Sequence, residues 1–143
     1  MVETVVAMEL PVDEKLTIRK NRIMPAHPTG EEKRIAVVTG THGDELEGQF
    51  VCYELIRRLK AEPGYLKGIV DVYPALNPLG IDSITRGIPM FDLDMNRIFP
   101  GNEEGPMMES LVSRLTEDLK GADLCACRFV LAGPPCDKDN KKP

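Results

Sequence analysis

Apolar positions along this chain fall in short strand-like runs and in longer helical repeats. Residues 3–8 and 16–23 look like two strands. The intervening Pro11-Val-Asp-Glu14 is turn-like, so the two segments predict a β-hairpin. Residues 34–39 form an apolar run rich in β-branched side chains, as a buried strand requires. From about 44 to 61 the steps lengthen to three and four residues. Leu46, Phe50, Tyr53, Ile56 and Leu59 then predict one buried helical stripe. Acids in its first turn (Asp44, Glu45, Glu47) and bases in its last (Arg57, Arg58, Lys60) suit the helix dipole, and Pro63-Gly64 ends it. Gly68-Ile-Val-Asp-Val-Tyr73 is a second central strand, parallel to the first through a right-handed crossover. A second helix over about 106–120 carries Met107, Leu111, Leu115 and Leu119 on one face, and Gly121 caps it. Ala122-Asp-Leu-Cys125 opens a third parallel strand. Residues 77–104 read as one long irregular segment, and a loop of that length in a compact domain is more often functional than idle. The fold class expected is α/β: a mostly parallel central sheet flanked by helices and preceded by a β-hairpin. Residues 1–124 carry this pattern, whereas 125–143 read as a divergent, disordered tail.

Composition narrows the function. The chain has 143 residues, enough for one domain with a core. Its 18 basic and 23 acidic residues give a net charge of -5, which speaks against nucleic acid or an anionic membrane as partner. No apolar run is long enough to span a bilayer, and Met1-Val-Glu-Thr-Val-Val-Ala-Met8 lacks the basic start of a secretory signal. The expected location is cytoplasmic. Cys52 sits inside the first predicted helix as a small apolar residue. Cys125, Cys127 and Cys136 crowd the tail. Their Cys-Ala-Cys spacing is tighter than that of a zinc knuckle and no second pair follows, so they read as reduced thiols.

The chemistry concentrates at the end of the first buried strand, in Thr39-Gly-Thr-His-Gly-Asp-Glu45. His42 and Glu45 are three apart at a strand–helix joint, where they can face one divalent cation, zinc above all. The alternative is that His42 is a turn residue and the acids only complement the helix start. Gly43 and Gly48 have phosphate-loop spacing, but Gln49 and Phe50 stand where Lys and Ser or Thr belong, and the acids would repel a phosphate. A second constellation lies in the long segment: Asn77-Pro-Leu-Gly80, Arg86, and Asp92-Leu-Asp-Met-Asn-Arg97. Asn96-Arg97 is a candidate clamp for a carboxylate, since a guanidinium grips one through two parallel hydrogen bonds. The alternative is a solvated arginine paired with Asp92 or Asp94.

Taken together, Gly40-Thr-His-Gly-Asp-Glu45, Asn77-Pro-Leu-Gly80, Arg86 and Asp94-Met-Asn-Arg-Ile-Phe-Pro-Gly101 occur in one order. In these motifs, over roughly residues 34–124, the chain resembles the succinylglutamate desuccinylase/aspartoacylase family, relatives of the zinc carboxypeptidases. The resemblance implies the N-terminal part of a zinc-carboxypeptidase-like catalytic domain. It implies a zinc-dependent hydrolase of amide bonds in N-acyl amino acids or related small carboxylate substrates. His42 and Glu45 would be two of three zinc ligands, Arg86 would stabilise the oxyanion, and Asn96 and Arg97 would hold the substrate carboxylate. A glutamate far downstream would be the general base.

The resemblance stops abruptly. The family pattern that carries the third ligand, a histidine, begins with Ala122-Asp123-Leu124, but Phe129 stands at the histidine position. The expectation is a truncated or frame-shifted product of a longer gene. Its activity is then either that of the family, or that of an inactive fragment without third ligand and base, or that of a binding or assembly module. His27 is the other histidine, a third ligand only if its loop crosses the strand ends. A sheet missing later strands exposes an apolar edge, which a homo-oligomer would cover.

Overall fold

The computed structural model describes residues 1–127 and 130–132. Six strands form one sheet in the order β1-β2-β4-β3-β5-β6. β1 (Val2–Glu9) and β2 (Lys15–Ile23) are the expected antiparallel hairpin. β3 (Arg34–Val38), α1 (Glu47–Ala61) and β4 (Ile69–Tyr73) form a strand–helix–strand unit whose two strands are parallel. α3 (Met107–Lys120) leads to β5 (Leu124–Cys127), which lies parallel to β3 on its other side. β6 (Val130–Ala132) turns back antiparallel on β5.

The sheet is therefore mixed rather than mostly parallel. Two of its five strand pairings are parallel, and the other three come from the hairpin, β6 and the β2–β4 junction. The hairpin does not precede the sheet but is built into it. Asn21, Arg22 and Ile23 of β2 pair with Val72, Asp71 and Val70 of β4 and continue the ladder. Pairing satisfies backbone groups that an open β4 edge would leave bare. The expected tail begins inside β5, because Cys125 is a buried strand residue. Ala126 and Cys127 complete β5, whereas 128, 129 and 133–143, Phe129 among them, lie outside the described residues.

The two long helices pack on opposite faces. Leu111, Val112 and Leu115 of α3 are fully buried against Val6, Leu16, Ile18, Ala36 and Val38, so the predicted α3 stripe faces the sheet. Each such side chain contributes about 1.5–3 kcal/mol of burial. On the other face α1 covers Ile23, Val70 and Val72. Its buried side shares Ile56 and Leu59 with the predicted stripe but is rotated away from the rest of it. Gly48, Cys52, Leu55, Ile56 and Leu59 turn inward, while Phe50 is 67% and Tyr53 61% exposed. Small residues decide this. A Cβ on Gly48 would lie 2.9 Å from the Thr39 Cβ, and Cys52 Sγ lies 3.4 Å from Thr39 Oγ1, so only this side lets the helix come close. No helix among the described residues is long and apolar enough to cross a membrane.

Near the N-terminal ends of β3 and β4, the face under α3 holds a charged cluster. Asp71, fully buried, accepts from Arg22 Nε and Nη2 at 2.8 and 2.7 Å and from Arg34 Nε at 2.6 Å. Lys20, 3% exposed, donates to both Asp118 oxygens at 2.7 and 2.9 Å and lies 3.6 Å from Asp71. Tyr73 donates to Asp118 and accepts from Arg34 Nη2 at 2.9 Å. Burial alone would raise the Asp71 carboxyl. The Arg22 hydrogen bonds, the Lys20 charge and the Arg34 hydrogen bond outweigh it and hold it below its ordinary value. A carboxylate depressed in the folded state adds stability that is complete above its unfolded value, about 3.9, and is lost as pH falls through the folded one. The urea midpoint should therefore stay level from pH 7 to about 5 and fall below about pH 4. Asp71→Asn, compared in the same titration, should show a shallower acid decline.

Candidate functional site

The loops that leave the C-terminal ends of β3 and β4 meet above the sheet. β3 ends at Val38, and Thr39 N–H donates to Tyr73 O of β4 at 2.9 Å, so the two strand exits stay side by side. Residues 42–46 make turns before α1 begins at Glu47, three residues later than the sequence pattern places it. Those turns carry the chemistry. His42 is 3% exposed, and its Nδ1 lies 3.2 Å from Glu45 Oε1. Gly43 is what lets this loop sit so low. A Cβ there would fall 1.9 Å from the Gly80 carbonyl carbon, and Gly43 N–H donates to Thr85 O at 3.0 Å.

The segment predicted as irregular is so over most of its length but holds two short helical elements. α2 (Pro78–Ser83) starts with Pro at its first position and with Asn77 Oδ1 accepting from Gly80 N–H at 2.9 Å. A 3-10 turn at Met95–Arg97 is capped by Asp94, which accepts from Asn96 N–H at 3.0 Å. Leu76, Ile88 and Met95 anchor the segment in the core under α3. Between these anchors Ile84, Met90 and Asp92 have φ of 52°, 70° and 48°. Three non-glycine residues in this region signal a backbone held by its surroundings, as happens around ligand sites.

This frame brings the predicted residues together. Asp94 Oδ1 lies 3.0 Å from His42 Nε2, Asn96 Nδ2 lies 3.2 Å from the same nitrogen, and Arg86 Nη1 donates to Glu45 Oε1 at 3.4 Å. Arg97 follows Asn96 in the same 3-10 turn and is exposed, and its side chain has no partner among the described residues, Asp92 and Asp94 included. Sequence reasoning placed Asp94 inside a motif but missed this contact. The available signal was a carboxylate two residues before Asn96.

The protonation pattern of His42 decides what can sit between it and Glu45. Each ring nitrogen of His42 faces a carboxylate oxygen, Nδ1 that of Glu45 at 3.2 Å and Nε2 that of Asp94 at 3.0 Å, with the Asn96 amide also 3.2 Å from Nε2. A carboxylate only accepts, so a single imidazole proton serves one of the two contacts. With that proton on Nε2 toward Asp94, Nδ1 turns a lone pair to Glu45, and a cation between them would satisfy both atoms. Two ligands about 2.05 Å from a tetrahedral zinc lie about 3.3 Å apart, so the spacing suits that ion. A carboxylate behind the ligating imidazole is the usual outer support of such a ligand. Burial alone would raise the Asp94 carboxyl, but its hydrogen bonds to His42 and to Asn96 N–H prevail and hold it below its ordinary value. Among the described residues no three His, Cys, Asp or Glu side chains group as a complete metal site. His27 does not complete one. It lies beside Glu32, Gly64 and Lys67, before β3 and β4 begin, whereas His42 follows the end of β3. The length of a five-residue strand, roughly 16 Å, separates the two ends.

A family model described as the succinylglutamate desuccinylase/aspartoacylase catalytic domain matches residues 31–131. The chain is 33% identical over 90 residues to the N-alpha-acetyl-L-2,4-diaminobutyric acid deacetylase of Halomonas elongata, a match covering 63% of this chain and 26% of that protein. It is 35% identical over 88 residues to the aspartoacylase of Mus musculus, covering 61% of this chain and 24% of that one. The chain thus spans about a quarter of the length of these relatives. Among solved structures it superposes on a succinylglutamate desuccinylase/aspartoacylase from Rhodobacter sphaeroides with a TM-score of 0.73. That match has 29% identity and covers 88% of this chain and 39% of that one.

Proposed function

We propose that this chain, which belongs to the succinylglutamate desuccinylase/aspartoacylase family, carries the first two zinc ligands and the carboxylate clamp of an amide hydrolase. Its substrates are N-acyl amino acids or closely related small carboxylates, and its place of action is the cytoplasm. The observation that carries this reading is the convergence of His42 Nδ1 and Glu45 Oε1 at 3.2 Å with Asp94 bonded behind the imidazole. His42 and Glu45 would hold the zinc. When bound, that ion polarises the scissile carbonyl and acidifies a water. The chain's own residues do the rest. Asp94 holds His42 in the tautomer that leaves Nδ1 free to ligate. Arg86, half exposed and in reach of the Glu45 carboxylate, adds positive charge where an oxyanion would develop. Asn96 and the unpartnered Arg97 offer amide and guanidinium donors to a substrate carboxylate.

The test is zinc-dependent hydrolysis of N-acyl amino acids, with their carboxyl-amidated analogues as the control. The free acids should be cleaved in preference. Arg97→Ala should raise KM for them about tenfold to hundredfold, which matches about 1.5–3 kcal/mol for hydrogen bonds to a charged group. Cleavage indifferent to the carboxylate, or to Arg97, would remove the clamp from the proposal. One observation favours a second reading, an inactive remnant that keeps the fold: Phe129 stands where the family pattern carries its histidine ligand. Zinc bound at well under one ion per chain, with no turnover, would decide for it.

A further inference from the structure

Helix α1 is apolar on two sides. Gly48, Cys52, Leu55, Ile56 and Leu59 pack on the sheet. On the opposite side Leu46, Phe50, Tyr53 and Arg57 fall within about 60° of one another around the axis, at 3.6 residues per turn. Leu46 is 44%, Phe50 67% and Tyr53 61% exposed, so two aromatic rings and a leucine line one open stripe. Isolated exposed apolar residues are ordinary, but a stripe at helical spacing on an already packed helix marks a second contact.

The charges around the stripe indicate what covers it. Glu47 lies at the N-terminal end of α1, and Arg57, Arg58 and Lys60 at its C-terminal end. An antiparallel second helix with the same sequence, crossing at the level of position 52, sets Glu47 against Arg57. A two-fold axis makes each contact twice. The same approach brings Phe50 and Tyr53 of both copies to the centre, where aromatic pairs contribute beyond their area. A parallel approach would instead set acid on acid and base on base. The pairing of Arg57 with Glu54 at 2.8 Å does not prevent it, since a guanidinium has donors to spare.

We propose that the outer face of α1 is a self-complementary interface on which a second copy of this chain docks antiparallel, Phe50 and Tyr53 at its centre. The proposal stands independently of the hydrolase reading. A single helix pair buries less than the 1,200 Å², roughly, of a stable interface, so the association should be weak and concentration-dependent.

Sedimentation equilibrium of the full chain across a wide concentration range tests it. The expected result is a reversible monomer–dimer equilibrium. Phe50→Asp, at an exposed position whose loss leaves no cavity, should keep the wild-type circular dichroism and remain monomeric. Glu47→Lys and Arg57→Glu should each weaken the homodimer at least tenfold. Mixed together, the two variants should form a heterodimer, because only the mixture restores both ion pairs. Four outcomes overturn the proposal. These are a monomer at every concentration, a dimer indifferent to Phe50→Asp, charge variants whose mixture fails to associate, and a Tyr53 ring in the monomer that resists nitration, which would place another part of the same chain on the stripe.

Discussion

Asp71→Ala should lower folding stability by about 3–5 kcal/mol, the cost of removing one partner from a buried charge cluster. This carboxylate accepts from two arginines and lies 3.6 Å from the buried Lys20 ammonium. Without it, Arg22 loses a bidentate partner, and Lys20 and Arg34 keep mainly Asp118. Three cations would then share one face with only the partly exposed Glu3 and Asp118 to balance them. Urea denaturation followed by circular dichroism measures the loss. Lys20→Met is the instructive companion. It removes a buried charge while keeping a long apolar stem, and it should cost less than Asp71→Ala because Asp71 retains both arginines. A loss below about 1 kcal/mol for Asp71→Ala would show that the cluster is solvated in solution.

His42→Ala should abolish zinc retention. It removes one of the two donors the described residues supply, and Glu45 alone would hold a divalent ion only weakly. Asp94→Asn should act more gently, lowering zinc affinity about 10–100-fold, because an amide can still bond the imidazole but no longer enforces its tautomer. His27→Ala, at the far end of the sheet, should leave zinc binding unchanged. Equilibrium dialysis with metal analysis of the three variants reads the series, and the fold should persist throughout because His42 lies in a loop above the sheet. Equal zinc binding by wild type and His42→Ala would place the ion elsewhere or nowhere.

Element types were readable because apolar runs, turn residues and the helical repeat are each clear. The hairpin, β3, β4, α3 and β5 fall where those signals place them. The misread face of α1 has a definite cause. Its sequence offers two apolar stripes, and hydrophobicity favours the one with aromatic rings, but contact distance favours the one with Gly48 and Cys52. Propensity does not record how close a helix must come. The sheet was read as mostly parallel because the β2–β4 junction joins segments that lie far apart along the chain. The ion cluster escaped notice for a related reason, since its members come from β2, β3, β4 and α3. One hint was present, an aspartate in the middle of the apolar run Ile69–Tyr73. The site was legible as pieces, because His42–Glu45 and Asp94–Arg97 are compact motifs. Their meeting depends on tertiary contacts that bridge 52 positions, visible only in three dimensions.

The contact of Gly43 with Gly80 involves no side chain on either partner. It clasps the turn bearing the imidazole to the helix that precedes Arg86, and the hydrogen bond to Thr85 fastens it one residue away. The spacing of the two main-chain segments that carry His42 and Arg86 is thus held by backbone contact. Any side chain introduced at position 43 would pry those two segments apart.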